Sequence, residues 1–130
     1  MTKRFSIRDQ QGQTMTEFAI VLPVLVLILF AVIQFGIAFN HYLALTDAAR
    51  AGARKAAVSR LSGNGSSAGV AAVRAAATDL NQSNLNVSVS SSWQRGSDVT
   101  VNATYPYSIS LLGLVVKSGN LSTTVTERVE

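Results

Sequence analysis

A run of 22 residues without a formally charged side chain, residues 18–39, constrains this chain more than any other feature. At a rise of about 1.5 Å per residue, a helix over this run is roughly 33 Å long. The hydrocarbon layer of a bilayer is about 30 Å thick, so such a helix is long enough to cross it. The sequence therefore predicts one membrane-inserted helix near the N-terminus.

Basic residues on both sides of the run bear on its orientation. Lys3, Arg4 and Arg8 precede it, and the positive-inside rule then favours a cytoplasmic N-terminus. A second basic cluster, within residues 50–60, favours the opposite orientation. The C-terminal half is rich in Asn, Ser and Thr, as is typical of an exported domain. We therefore predict a single-pass protein of the cytoplasmic (inner) membrane, with its N-terminus in the cytoplasm and its C-terminus outside.

The composition argues against several function classes. The chain has no cysteine, so it can form neither disulfides nor cysteine-ligated metal sites. Its net charge of +4 is concentrated before and just after the apolar run, without a basic groove that has interleaved aromatic residues. The sequence contains neither the G-x-S-x-G motif of serine hydrolases, nor a phosphate-binding loop, nor the H-E-x-x-H motif of zinc proteases. We expect no enzyme activity, nucleic-acid binding, cofactor, metal or small-molecule substrate.

Helix-forming residues continue beyond the apolar run, and we predict one helix from about Thr14 to about Arg60. Asp47 is placed to pair with Arg50, and Arg50 and Arg54 share a face that either contacts acidic or phosphate groups or is merely solvated. Small side chains on another face recur at spacings of three and four and would let a second backbone approach closely. This stripe consists of Leu45, Ala48, Ala49, Gly52, Ala53 and Ala56.

The pattern changes after this helix. Glycines and an Asn-Gly step predict a break over residues 61–69, and a short second helix is predicted from about residue 68 to residue 81. Alternation with a period of two then predicts strands near residues 85–89, 99–103 and 121–129, with a turn at 95–98. The apolar run 111–116 fits no single element type. The predicted fold class is α+β, with a long N-terminal helix, a short second helix and a small antiparallel sheet of three to four strands.

The polar segment before the apolar run offers candidate sites. Gly12, among glutamines, would supply the extended backbone that a protease requires, although a lone glycine before a helix is usually only flexible. Glu17 lies at the edge of the apolar run, where it either completes a capping box with Thr14 or has a functional partner. Pro23 predicts a kink that either assists insertion and packing or is merely tolerated.

These residues resemble the processing site of type IV prepilins and, more narrowly, the TadE-like minor pilins of the tight-adherence (Tad/Flp) system. The likeness rests on Gly12-Gln13 through Glu17-Phe18-Ala19, on Val21-Leu22-Pro23 and on Ala48 through Arg54. Residues 99–106 and 123–130 also resemble the family's C-terminal strands. Phe18 stands where the major Flp subunits often have tyrosine, and the chain is longer than those subunits. Both features argue against the major fibre subunit.

The resemblance implies a mechanism of processing and assembly. A prepilin peptidase would remove residues 1–12 as a cytoplasmic leader, leaving Gln13 at the start of a long helix (13–60) that precedes a small exported domain (61–130). Glu17, beside Phe18, would then neutralise the N-terminal amine of a neighbouring subunit in an apolar filament core. The implied partners are the peptidase, other pilin and pseudopilin subunits, the inner-membrane assembly platform and membrane lipid. The implied product is an extracellular adhesive pilus.

Two other hypotheses remain open. Basic residues 3–8 and the Gly36-Ile37-Ala38 step fit an ordinary signal peptide of a secreted or periplasmic domain. Alternatively, the chain stays uncut as a membrane anchor for a small extracytoplasmic binding domain. The three hypotheses differ in where the chain is cut: after Gly12, after Ala38 or nowhere.

Overall fold

The computed structural model describes residues 7–129. Lys3 and Arg4, on which the predicted orientation partly depends, lie outside the described part. The α+β class, the long first helix, the short second helix and the antiparallel sheet are confirmed, and the sheet has three strands. In chain order the elements are α1 (Ile7–Val58), a 3-10 turn (Ser59–Ser62), α2 (Gly65–Ala76), β1 (Asn86–Ser91), β2 (Asp98–Leu111) and β3 (Leu114–Arg128).

Helix α1 has two parts that differ in burial. Every residue from 12 to 33 is exposed, including all the apolar ones. The small-residue stripe predicted from the sequence is instead buried, with at most 1% exposure at Leu45, Ala48, Ala49, Ala53 and Ala56. The helix begins seven residues before the predicted Thr14, because residues 7–13 contain no proline and their single glycine costs only about 1 kcal/mol.

Helix α2 crosses α1 where glycines from the two helices face each other. A Cβ atom on Gly69 would lie 2.8 Å from the Ala56 Cβ and 3.3 Å from the Gly52 carbonyl oxygen. A Cβ atom on Gly52 would lie 3.0 Å from the Gly69 carbonyl oxygen and would overlap the Val73 side chain. The close backbone approach predicted for the stripe is therefore made by α2 of the same chain.

The predicted boundaries of α2 are wrong by several residues. The helix runs from Gly65 to Ala76 rather than from 68 to 81, and the predicted break shrinks to Gly63 and Asn64. Gly65 and Gly69 enter the helix because both are buried, and that packing outweighs their low helix propensity. The helix ends where the Gln82 side-chain amide donates a hydrogen bond of 2.8 Å to the Ala77 carbonyl oxygen.

The sheet has the order β1-β2-β3, and both pairs of strands are antiparallel. Val99, Val101, Ala103 and Tyr105 of β2 are at most 9% exposed and belong to the core cluster that includes the buried stripe of α1. The predicted turn near 95–98 is confirmed, with Gly96 at a φ of 79°. The alternation found in the sequence therefore identifies the buried face of the central strand.

Strands β2 and β3 extend beyond β1 as a two-stranded hairpin. Strand β1 pairs with β2 only as far as Thr104, whereas β2 and β3 stay paired to Leu111 and Leu114. Leu112 and Gly113 form the turn with φ values of 52° and 85°, the positive values that a two-residue turn of type I′ requires. The apolar run that fitted no single element is therefore the end of this hairpin.

The glycine crossing predicts that α1 does not tolerate a larger side chain at its centre. We expect Gly52→Val to lower the free energy of unfolding by about 1–3 kcal/mol, the usual cost of overpacking. Gly36→Val is the matched control, because it lies in the same helix and has open space around its Cβ position. Denaturant unfolding of the full chain in detergent micelles, followed by Trp93 fluorescence, measures both. Equal midpoints for the two variants would contradict the packing described.

Candidate functional site

The first part of α1 is apolar on all sides of the helix. Its large apolar side chains between residues 18 and 33 are 36–69% exposed, so none of them is covered by the rest of the described chain. Full burial of one such side chain is worth about 1.5–3 kcal/mol relative to exposure in water. A helix with this surface requires apolar surroundings, either lipid or other proteins.

The length of α1 suits the lipid environment. Within residues 7–129, one continuous helical stretch, Gly12–Ser62, which joins most of α1 to the 3-10 turn, is long and apolar enough to cross a membrane. This property is compatible with a single-pass membrane protein. The C-terminal end of the predicted span lies against the folded domain, because Gln34 and Ala38, and His41 just beyond the span, are half-buried and line a pocket with the hairpin.

Gly12 is exposed but helical. Its carbonyl oxygen accepts a hydrogen bond of 2.9 Å from the Thr16 hydroxyl, and beyond its chain neighbours and the local helix backbone no atom lies within 4 Å of a Cβ built on it. The prediction of an extended backbone at Gly12 is therefore wrong for the intact chain. Since nothing packs against Gly12, only its local helical hydrogen bonds oppose unwinding, and a protease would have to unwind this turn.

Glu17 is exposed and accepts a hydrogen bond of 3.1 Å from the Gln13 side-chain amide, one turn earlier. The predicted capping box with Thr14 is wrong in the intact chain, because α1 begins seven residues before Thr14 and this segment is not a helix terminus. The Glu17 side chain is thus uncovered by the described chain, like its neighbours in this part of α1. Phe18, the next residue, is 60% exposed.

Pro23 lies inside α1, and the helix continues through it from Ile7 to Val58. Proline has no backbone N–H, so the Ala19 carbonyl oxygen lacks its usual intrahelical donor. The position is surrounded by exposed apolar residues rather than by the folded domain. Pro23 therefore removes one backbone hydrogen bond from the part of α1 that needs external apolar surroundings.

Arg50 and Arg54 lie on a different surface of α1 from Gly52, as their spacing predicts. Arg50 is exposed and pairs with Asp47 at 3.5 Å, as predicted from their spacing. Arg54 is also exposed, whereas Gly52 is buried beneath α2. An exposed pair of this kind contributes only about 0.2–0.5 kcal/mol. Arg50 and Arg54 remain available to an external partner, and Gly52 serves the packing of the domain.

An apolar groove of about 340 Å³ between α1 and the hairpin was not predicted. Its walls consist of Phe35, Ala38, Phe39 and Tyr42 of α1 and Tyr107, Ile109, Lys117 and Leu121 of the hairpin. The sequence does contain a signal for it. The alternation that begins at Val99 continues through Tyr105, Tyr107 and Ile109, which places these side chains on the face of β2 toward α1.

Comparison with known proteins supports the resemblance in the first part of the chain. The sequence model of the TadE family, described as TadE-like protein, matches residues 12–54. This segment begins at the candidate cut site, contains the exposed apolar part of α1 and ends just beyond the glycine crossing. The resemblance to TadE-like proteins is thus confirmed over these residues, and the family suggests a protein associated with Tad pili. No curated protein and no solved structure matches the chain.

Proposed function

We propose that this chain, which is similar to TadE-like proteins over residues 12–54, is a minor pilin or pseudopilin of a Tad/Flp-type pilus. In this proposal α1 inserts into the inner membrane, the chain is processed after Gly12, and the product takes part in assembling an adhesive pilus. One observation carries the proposal. The matched residues 12–54 contain both the polar residues before the apolar run and the part of α1 whose apolar surface the described chain leaves uncovered.

The apolar part of α1 suits both stages of such a life cycle. In the bilayer, acyl chains would cover residues 18–33, and in a filament the helices of neighbouring subunits would do so. The surface contains no charged side chain over residues 18–39 and is exposed around the whole helix through residue 33. Transfer between the two environments therefore does not require the folded domain to open.

Processing after Gly12 would give Glu17 a new environment. Gln13 would become the first residue, and its ammonium group would join the unpaired N–H groups of a new helix terminus. Glu17 would lie one turn from that terminus, as the contact between the Gln13 and Glu17 side chains already indicates. A carboxylate near a helix N-terminus is electrostatically favourable. In an apolar core, the pair formed with an ammonium group would satisfy the requirement that buried charges be compensated.

The proposed partners follow from this mechanism. They are a prepilin peptidase, other pilin and pseudopilin subunits, the inner-membrane assembly platform and membrane lipid. We place the N-terminus in the cytoplasm because Lys3, Arg4 and Arg8 precede the span, and the polar domain outside. Arg50 and Arg54 are exposed but lie roughly 16–23 Å along the helix beyond residue 39, so of the two predicted contacts an acidic subunit surface suits them better than lipid phosphates.

Cleavage after Ala38, which the signal-peptide hypothesis requires, fits the structure less well. Ala38 is half-buried in the middle of α1 and lines the groove with Tyr107 and Ile109. A cut there would separate Gln34 and Phe35 from the hairpin residues with which they line two pockets. Gly12, in contrast, can be reached without disturbing the domain.

The mature N-terminus tests the processing step directly. In cells that carry the protein's own prepilin peptidase, we expect mass spectrometry to find a mature chain beginning at Gln13. A Gly12→Leu variant is the control and should keep its leader. A chain beginning at Phe39 would contradict the proposal. An intact chain, in cells whose peptidase processes another prepilin, would favour the uncut membrane anchor.

The role of the carboxylate is tested by Glu17→Gln, which keeps the shape of the side chain. We expect normal cleavage and membrane insertion, with incorporation into pili reduced on the order of a hundredfold or more, because losing one partner of a buried ion pair costs about 3–5 kcal/mol. Immunoblots of sheared pili and membranes measure the two populations. Asp47→Asn, which removes an exposed carboxylate from the same helix, is the control. Equal incorporation of both variants would refute the proposed pairing.

A further inference from the structure

The end of the β2–β3 hairpin carries an exposed apolar surface. We call residues 111–116 the hairpin tip; its sequence, Leu-Leu-Gly-Leu-Val-Val, contains no polar side chain. Leu112 and Leu114 are 73% and 74% exposed, and Val115 and Val116 are both 64% exposed. Apolar residues concentrated at one protruding turn, rather than scattered, indicate an interaction surface.

The hairpin runs along α1 toward the exposed part of that helix. The Tyr105 ring contacts the His41 ring edge-to-face, with centroids 5.5 Å apart. Farther along β2, Ile109 lines the groove together with Phe35. Increasing residue numbers in β2 therefore correspond to decreasing numbers in α1. The hairpin tip follows in the same direction.

The position of the tip along α1 follows from the repeat distances of helix and strand. Between His41 and Phe35 the helix rises about 9 Å, while β2 advances about 13 Å between Tyr105 and Ile109. The turn lies three to four residues beyond Ile109, about 10–13 Å farther along the strand. If α1 and β2 keep the same proportion between these two advances, we expect the tip to lie level with about residue 29 or 30 of α1. Residues 29 and 30 lie near the middle of the uncharged run 18–39, so the end of the tip reaches the inner limit of the outer leaflet when that run spans the bilayer.

The side chains at the base of this hairpin are those typical of a membrane interface. Tyr107 and Tyr42 line the groove, and Lys117, opposite Ile109 in the strand register, joins them. Tyrosines are enriched at the headgroup level, and a lysine there keeps its stem in apolar surroundings while its ammonium group reaches water. Beyond Lys117, Ser110 is the one polar side chain before the turn is complete.

We propose that the hairpin tip inserts into the acyl-chain region of the outer leaflet, beside α1. Lys117 then extends its ammonium group toward the lipid phosphates. The proposal rests on the membrane insertion of α1 proposed above. Pairing of Leu111 with Leu114 and of Ser110 with Val115 satisfies backbone groups between the strands. Backbone N–H and C=O groups on the two outer edges of the hairpin have no partner strand and would lose their water in hydrocarbon. We therefore confine insertion to the short tip.

This insertion would give the exported domain a second contact with the bilayer. The helix alone leaves the domain held to the membrane at one point, whereas the tip would fix its rotation and height. Extraction into a pilus would then require the tip and α1 to leave the lipid together. The hairpin would therefore link the fold of the domain to the membrane-inserted state.

The absence of cysteine allows this to be tested with single labelled cysteines in the full chain. Leu114→Cys places an environment-sensitive fluorophore on the tip, and Ser92→Cys places it in the exposed loop at the other end of the sheet. Ile28→Cys reports insertion of α1, and Val116→Cys provides a second position on the tip. The proteins are reconstituted in vesicles of phosphatidylcholine and phosphatidylglycerol. Quenching is measured with brominated acyl chains and with aqueous iodide.

We expect the labels at positions 114, 116 and 28 to be blue-shifted and quenched by brominated acyl chains, and the label at position 92 to be quenched by iodide. If 114 and 116 behave like 92 while 28 is quenched by lipid, the hairpin proposal is wrong and insertion of α1 stands. If 28 is also quenched by iodide, membrane insertion itself fails. Protection of 114 and 116 only in assembled pili would assign the tip to another subunit and overturn the lipid proposal.

Discussion

The apolar surface of the first part of α1 has no partner within the described chain, so lipid or another protein must cover it. The other features of the molecule follow from this need for an external apolar partner. Residues 18–33 are exposed on all sides, yet the same helix continues into a fully buried stripe beginning at Leu45. One helix therefore joins an external apolar environment to a folded domain without a flexible linker.

The domain can dock on this helix because small residues bring the backbones close together. Gly52 and Gly69 allow α2 to cross α1, and the central strand β2 packs its alternating apolar side chains against the same part of the helix. This packing is local to the second part of α1. The first part is left free to contact lipid or neighbouring helices, which is the division that the proposed transfer from membrane to filament would require.

Much of this fold is predictable from the sequence, because the patterns report burial directly. The period of three and four identified the stripe of α1, and the alternation at Val99 and Val101 identified the inner face of β2. The boundaries of α2 were predicted incorrectly because Gly65 and Gly69 look like loop residues until their packing partners are known. The hairpin was missed because residues 111–116 are apolar at every position, so no alternation reveals a strand.

The candidate site was predictable to a smaller extent. Gly12 and Glu17 stand out in the sequence through their position before the apolar run, but the partners that would give them a role are not part of this chain. The predicted capping box failed because the helix extends upstream of Thr14. Helical spacing alone separated Gly52, in the small-residue stripe, from Arg50 and Arg54, and the structure turns the glycine toward α2 and the arginines toward solvent.

The most direct test of this account compares two valines of α1 that are almost equally exposed in the chain itself, Val32 at 64% and Val58 at 69%. Each is replaced by cysteine in the full protein, and its reaction with a water-soluble maleimide is measured in isolated membranes. We predict that Val58→Cys reacts readily and Val32→Cys does not, because lipid covers only the first part of the helix. Equal reaction at both positions would contradict the membrane insertion of α1.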